Sequence, residues 1–412
     1  MKNNNSSSQY DANKALKIVI YRPYREVWFK NPTKRILSNT KWPNKYEGLF
    51  DYLVDSNNEI YISTGLLYDE GVKGIYQWAL DAFRLIIWCL FNRINPKKVK
   101  LVFTKNQLKD KDVILFMHYG AFTHEQQTLA RKGSELASEL SDIRIFKVVH
   151  MTHYAYNIKI GAKNIKILKP DLCLAENNLL KNSTFFNKFY GSIIDDFYQL
   201  PYTPSARFSR KKKFRERANK LVVTGSITYK MTDKDFIDYF QQDELQPMRR
   251  IIYRDSKKYP AQIESLILDL NSTRASAMQG KSKDNPLVTG YYKRNIVDIY
   301  NDFTMFAVPE EICDLPAIGF VEGMACGAAF FGLDSPMYRD LGMIPGKHYV
   351  AYDGSLEDLV LKINYYQNHD DELLRIADCG HDFAHLNFSK EKVYESFVSK
   401  LALMVRADNS EQ

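Results

Sequence analysis

Runs of apolar residues alternate with amphipathic stretches along most of the chain. In the first half, LKIVIY (16–21), DVILFMHY (112–119), IRIFKVVHM (143–151), PDLCLAE (170–176) and FYQLPYT (197–203) read as strands. Most are unbroken apolar runs, the pattern of strands covered on both faces in a parallel sheet. Helical spacing falls between several of them, as in FTHEQQTLARKGSELASELS (122–141). The alternation breaks at SARFSRKKKFRERANK (205–220), which is crowded with Lys and Arg and offers little to bury. A solvated connector is the plain reading, and a patch for phosphate or anionic lipid is the other. The alternation then restarts. NKLVVTGSITY (219–229), RRIIYRD (249–255), NPLVTGYY (285–292), DFTMFAVP (302–309), AAFFG (328–332) and HYVAYD (348–353) are predicted strands. Helices are predicted at 260–270, 317–326, 355–367 and 370–379, and FSKEKVYESFVSKLALMV (388–405) reads as an amphipathic terminal helix. The fold class that follows is α/β, with two Rossmann-like domains facing a central cleft, where the carboxyl ends of the strands meet a ligand. The expected organisation is a polar tail over 1–14, a first domain over 15–207, a second over 208–387, and a segment over 388–412 packing back across the domains.

A length of 412 residues fits two domains, and 45% apolar with 13% aromatic residues is enough for real cores. Five scattered cysteines (Cys89, Cys173, Cys313, Cys326, Cys379) with no CxxC pair fit a reduced, cytoplasmic chain without structural zinc. The start, MKNNNSSSQYDANK, has no apolar core, so it is not read as a secretory signal. No apolar run is long enough to span a bilayer. The nearest approach, residues 74–98, is interrupted by Asp81 and Arg84. It reads as a core helix, or as an interfacial helix with Trp78 and Trp88 at the headgroups and Arg93, Lys97 and Lys98 towards anionic lipid. The net charge of +8 suits an anionic substrate or a membrane surface as readily as nucleic acid, and nucleic acid is not the expected partner.

The stretch DLPAIGFVEGMACGAA (314–329) holds two acids, Asp314 and Glu322, around a predicted helix start at Ala317, Ile318 and Gly319. Free N–H groups at such a start attract anions. Gly319 and Gly323 allow either a close backbone approach or tight packing. An acid before a helix also complements its dipole, and Glu322 reads equally as an exposed helix carboxylate.

This segment, with YRDLGMIPGKHYVAYDGSLEDLVLKINYY and LLRIADCGHDF after it, resembles the donor domain of group 1, GT4-like glycosyltransferases of the GT-B fold. That family has two Glu residues separated by seven positions, then EAMACG. Here Asp314 stands at the first acid, and Glu322 and Met324-Ala325-Cys326-Gly327 are kept. The resemblance is best over about 285–385. Two family features are absent: a glycine-rich loop after the first strand, where YRPYREVWFKNP stands, and an Asn-Gly pair in QLPYTPSARF.

The resemblance implies a transferase moving a sugar from a nucleotide-sugar to a hydroxyl of a glycan acceptor, in bacterial surface-polysaccharide assembly, with retention. Glu322 would take the ribose hydroxyls and Asp314 would lie by the sugar ring. His153 would act from the first domain, with His150 and His118 as positional equivalents. Gly225 and Ser226 would meet the diphosphate through their backbone, with Lys230, Arg249, Lys293 and Arg294 as candidate cations. Tyr291 would stack on the base. No metal and no cofactor are implied. A lipid-linked acceptor would bring the chain to the inner membrane face. Two alternatives stay open: a GT-B epimerase, and a non-catalytic binding partner that kept the fold.

Overall fold

The computed structural model describes residues 15–22, 47–64, positions 79, 82, 83, 85, 86, 89 and 90, then 95–102, 104–117, 119–123, 132–228, 230–270, 290 and 293–410. The first half builds β1 (Lys17–Arg22), α1 (Glu47–Asp55), β2 (Glu59–Thr64), β3 (Val99–Val102), β4 (Val113–Phe116), α2 (Gly133–Ser141), β5 (Phe146–His150), α3 (Ile158–Leu168), β6 (Leu172–Ala175), α4 (Leu179–Asn182), α5 (Thr184–Tyr190) and β7 (Phe197–Gln199). The strands form one sheet in the order β3-β2-β1-β4-β5-β6-β7. Every pairing is parallel. Every residue of β4, β5 and β6 is buried, as the unbroken apolar runs of β4 and β6 predict, and in β5 the burial takes in Lys147 and His150. β2 and β3 are not among the predicted strands. They lie on the outer side of β1.

The second half contributes β8 (Ala218–Val223), β9 (Ser226–Ile227), α6 (Lys234–Phe240), α7 (Pro247–Asp255), β10 (Ile263–Ser265), β11 (Leu268–Asp269), α8 (Ile296–Asp302), β12 (Phe303–Ala307), α9 (Gly319–Ala325), β13 (Ala329–Leu333), α10 (Pro336–Arg339), β14 (Val350–Tyr352), α11 (Leu356–Gln367), α12 (Asp370–Asn387) and α13 (Lys390–Ser410). A second parallel sheet runs β10-β8-β12-β13-β14, beside a two-stranded β11-β9 pair. Two local expectations are overturned. RRIIYRD is helical, because Pro247 opens α7 at its first turn and Met248, Arg249 and Ile252 are buried at helical spacing. Residues 260–270 are not a helix but hold β10 and β11, whose partners are β8 and β9. The strand expected at 285–292 lies, apart from Gly290, outside the described residues, as do residues 1–14, Trp78, Trp88, Arg93 and His118.

The basic connector buries more than its composition implies. Phe208, Phe214 and Arg217 are all buried. The Arg217 guanidinium donates to the carbonyls of Lys212, Tyr300 and Cys326. Burial lowers its pKa to about 10.

Apolar clusters cover both faces of each sheet. α13 returns to the first sheet: Val393, Phe397 and Leu401 share a cluster with Ile18, Ile60 and Val113. The opposite cluster of that sheet also takes in Met231, Phe236, Leu245, Cys313 and Leu315 from the second half.

Candidate active site

The carboxyl ends of β5 and β6 lead into Met151–Tyr154 and Glu176–Asn178, and the end of β12 leads into Val308–Leu315. Two hydrogen bonds join these loops, and Ser183, just before α5, adds a third contact. The Tyr154 hydroxyl donates to the Cys313 carbonyl at 2.8 Å, both residues being buried. The Asn177 side-chain amide donates to the Asp314 carbonyl at 2.9 Å. The Asp314 carboxyl is hydrogen-bonded by the Ser183 side chain. Outside them, Lys181 and Asn182 donate to the Asp340 carboxylate at 2.7 and 2.8 Å.

His153 and Asp314 are therefore held on neighbouring sides of one seam. Both adopt left-handed backbone, φ 66° and 62°. Such a conformation costs a residue with a Cβ roughly 1–2 kcal/mol, and it persists only where the surroundings impose it. At Asp314 the amide donates to the Glu311 carbonyl at 3.1 Å, while the carbonyl is taken by Asn177. Burial raises the Asp314 carboxyl above its ordinary range, against the Ser183 bond. The His153 ring lies edge-on to Tyr156, with centroids 5.9 Å apart.

Behind His153 is a buried polar group of which sequence reasoning named only His150. His150 Nδ1 lies 2.7 Å from the Thr152 hydroxyl oxygen and 3.2 Å from the Thr152 main-chain nitrogen. His150 Nε2 lies 3.8 Å from Glu176 Oε1, and the Thr152 hydroxyl donates to the same oxygen at 3.1 Å. His150 is thus a buried support for the loop, whereas His153 is only partly buried. The acid–amide pair directly after β6, Glu176-Asn177, was the available signal.

In the second half, α9 starts at Gly319 and carries Glu322 on a partly exposed position. Ala317 and Ile318, just before it, are half-buried. A Cβ on Gly323 would enter the Phe306 ring, so this glycine serves helix–strand packing. A second missed acid, Glu310, is buried at the end of β12, where it accepts from the Tyr338 hydroxyl and from the Leu333 N–H at 3.3 Å. Burial raises its pKa.

Gly225 and Ser226 form the turn after β8, with Gly225 at φ 127°. The Arg249 guanidinium lies against Gly225, where an added Cβ would be 3.2 Å from Nε. Its Nε donates to the Pro309 carbonyl at 2.7 Å and Nη1 to the Ser226 carbonyl at 2.8 Å. Arg249 is buried and ties two strand ends together. Lys230 is exposed and pairs with Asp243 at 2.7 Å, which raises its pKa. Lys293 and Arg294 are exposed, and Tyr291 lies outside the described residues. Among the described residues, no three metal-ligating side chains converge.

No family model matches the chain, and no curated protein matches it. Solved structures do. HepE from Anabaena, in complex with UDP and glucose, aligns over 94% of this chain and 99% of its own at 12% identity and a TM-score of 0.54. The same protein in complex with UDP-glucose gives 12% identity, 94% and 99% coverage, and a TM-score of 0.53. Sucrose-phosphate synthase from Thermosynechococcus elongatus aligns over 95% of this chain and 100% of its own at 9% identity and a TM-score of 0.52. The chain has the GT-B fold of these glycosyltransferases, and the likeness extends over both sheets.

Proposed function

We propose that this protein is a glycosyltransferase that uses a uridine diphosphate sugar as donor. The observation that carries the reading is the seam: the Tyr154–Cys313 bond ties the residue after His153, from the first sheet, to the residue before Asp314, from the second. Support for the donor comes from the fold, since HepE holds UDP and UDP-glucose. In this reading Glu322 accepts from the vicinal ribose hydroxyls, a task that suits a carboxylate on a partly exposed helix position. Ala317, Ile318 and Gly319 line the approach to the diphosphate, and the Gly225–Ser226 turn meets it through its backbone. Arg249 shapes that turn rather than touching phosphate, because its Nε and Nη1 are bound to carbonyls.

In the reaction, the anomeric C–O bond to the diphosphate breaks and its electron pair leaves with the diphosphate. The acceptor oxygen bonds to the anomeric carbon and gives up its proton to the departing diphosphate. Asp314 lies on the sugar side of the seam, and His153 on the acceptor side. We place the reaction among retaining, metal-independent transfers in surface-polysaccharide assembly. A lipid-borne acceptor at a membrane face fits the helical positions Phe83, Ile86 and Leu90, which expose apolar side chains while Leu85 and Cys89 are buried. No helix among the described residues is long and apolar enough to cross a membrane.

A second reading, a non-catalytic binder, is favoured by one observation: Lys230 and Arg249 are already engaged by protein groups. Incubation with UDP-sugars, following UDP release and the anomeric configuration of product by NMR, separates the readings. Sugar-dependent release with retained configuration supports the transferase. Inverted product removes the retaining assignment. Nucleotide binding without release under any acceptor supports the binder.

A further inference from the structure

Two asparagines of the first half link two separate segments of the second. Asn177 is the second residue after β6 and is completely buried. Its amide nitrogen donates to the Asp314 carbonyl at 2.9 Å, and its Oδ1 accepts from the Asn182 amide at 2.8 Å. Asn182, the last residue of α4, donates from the same nitrogen to Asp340 Oδ2, also at 2.8 Å. Asp340 follows α10 and takes Lys181 Nζ on its other oxygen at 2.7 Å. A chain of side-chain bonds thus runs from Asp340 through Asn182 and Asn177 to Asp314. Only one orientation of each amide fits it. A carbonyl and a carboxylate both need N–H donors, which leaves Asn177 Oδ1 to accept from Asn182.

At its inner end the chain meets left-handed backbone. The Asp314 loop closes on itself, with Glu311 N–H donating to the Leu315 carbonyl and Asp314 N–H to the Glu311 carbonyl, each at 3.1 Å. The Asp314 carbonyl is satisfied from outside that loop, by Asn177. A bond to a residue's carbonyl fixes the peptide plane that follows it. A residue with a Cβ at φ 62° keeps that conformation only where its surroundings impose it.

We propose that Asn177 is the positioning residue for Asp314, fixing the left-handed turn that aims its carboxyl, and that Asn182 and Asp340 hold Asn177 in place. The inference rests on the transferase reading for its effect on turnover, but not for its effect on Asp314 itself.

The test has two readouts. The first, carbon-13 NMR of the Asp314 side-chain carboxyl assigned with Asp314→Asn, needs no substrate. In the wild type, burial holds this carboxyl above its ordinary range, against the Ser183 bond, and burial keeps its neighbours Tyr154 and Cys313 neutral. Asn177→Ala frees the turn, so the carboxyl reaches water and titrates closer to its ordinary value. The second readout is steady-state kinetics with a UDP-sugar. In Asn177→Ala, kcat falls about tenfold or more, while KM for the donor stays within about twofold because Glu322 is untouched. Asn182→Ala, at a half-buried position, moves both readouts the same way by less, and decides the matter if Asn177→Ala does not fold. An unchanged Asp314 titration in the folded variants overturns the proposal, and so does an unchanged kcat in an active enzyme. A wild type that turns over no UDP-sugar refutes the transferase reading instead, and the NMR result then decides the role of Asn177.

Discussion

The Tyr154 hydroxyl, at the carboxyl end of the first sheet, donates a 2.8 Å hydrogen bond to the carbonyl of Cys313, 159 residues further on. Cys313 immediately precedes Asp314, and Tyr154 immediately follows His153. One buried bond therefore ties together the two loops that carry the groups proposed for the reaction. Tyr154→Phe leaves the Cys313 carbonyl without that donor, at a cost of about 1–3 kcal/mol. Urea unfolding measures this loss. The turnover falls as well, because the seam loosens where the reacting groups sit.

Asp314 is a residue whose charge the fold tolerates at a cost. Burial raises its carboxyl above the ordinary value of 3.8, against the Ser183 bond. A raised folded-state pKa contributes stability that is fully present below the unfolded value and is lost as pH rises through the folded one. Above that point the buried charge is a standing penalty. Asp314→Asn removes it, so the variant melts at or above the wild-type temperature at neutral pH, and the gap closes as pH falls below about 4. Turnover falls about 100-fold or more. A variant that melts lower at pH 7 and turns over normally makes Asp314 a strut.

His153 carries a similar signature in its backbone. Its φ of 66° suits glycine better than histidine. His153→Gly relieves strain of about 1 kcal/mol, offset in part by the entropy of the unfolded glycine. Thermal unfolding at or near wild type, with turnover reduced about 100-fold, is the expected pair of results.

Arg249 and Lys230 separate a structural cation from a surface one. Arg249→Ala strips a buried charged donor from the Pro309 and Ser226 carbonyls, and denaturant unfolding is expected to reveal a loss of about 3 kcal/mol or more. Lys230→Ala removes an exposed pair with Asp243, and its effect on stability stays below about 1 kcal/mol.

Much of the layering is legible in the sequence because buried parallel strands are written as apolar runs: VILF, FKVVH and LCLA are strands β4, β5 and β6. Strands with polar residues mixed in, and very short ones, escape that signal. β2 mixes Glu59 and Ser63 into EIYIST, and β10 is three residues long. RRIIYRD misleads because two adjacent isoleucines suit a strand as well as a helix, and Pro247 in front of them was the decisive cue. The site is legible only in part. Asp314, Glu322 and His153 stand at strand ends and a helix start, which motif spacing can find. The burial of Arg249 against two carbonyls, and the support given by His150, Thr152 and Glu176, depend on which strand ends become neighbours. No local pattern encodes that.

The measurement closest to the central claim is the thermal stability of wild type and Glu322→Ala with UDP, GDP, ADP, CMP and dTDP, each with and without EDTA. A bound nucleotide raises the melting temperature in proportion to its occupancy of the folded state. The account predicts selective stabilisation by UDP, unchanged by EDTA and lost in Glu322→Ala, whose unliganded melting stays at the wild-type value. Indifference of the wild type to every nucleotide, or an equal response from the Glu322 variant, contradicts it.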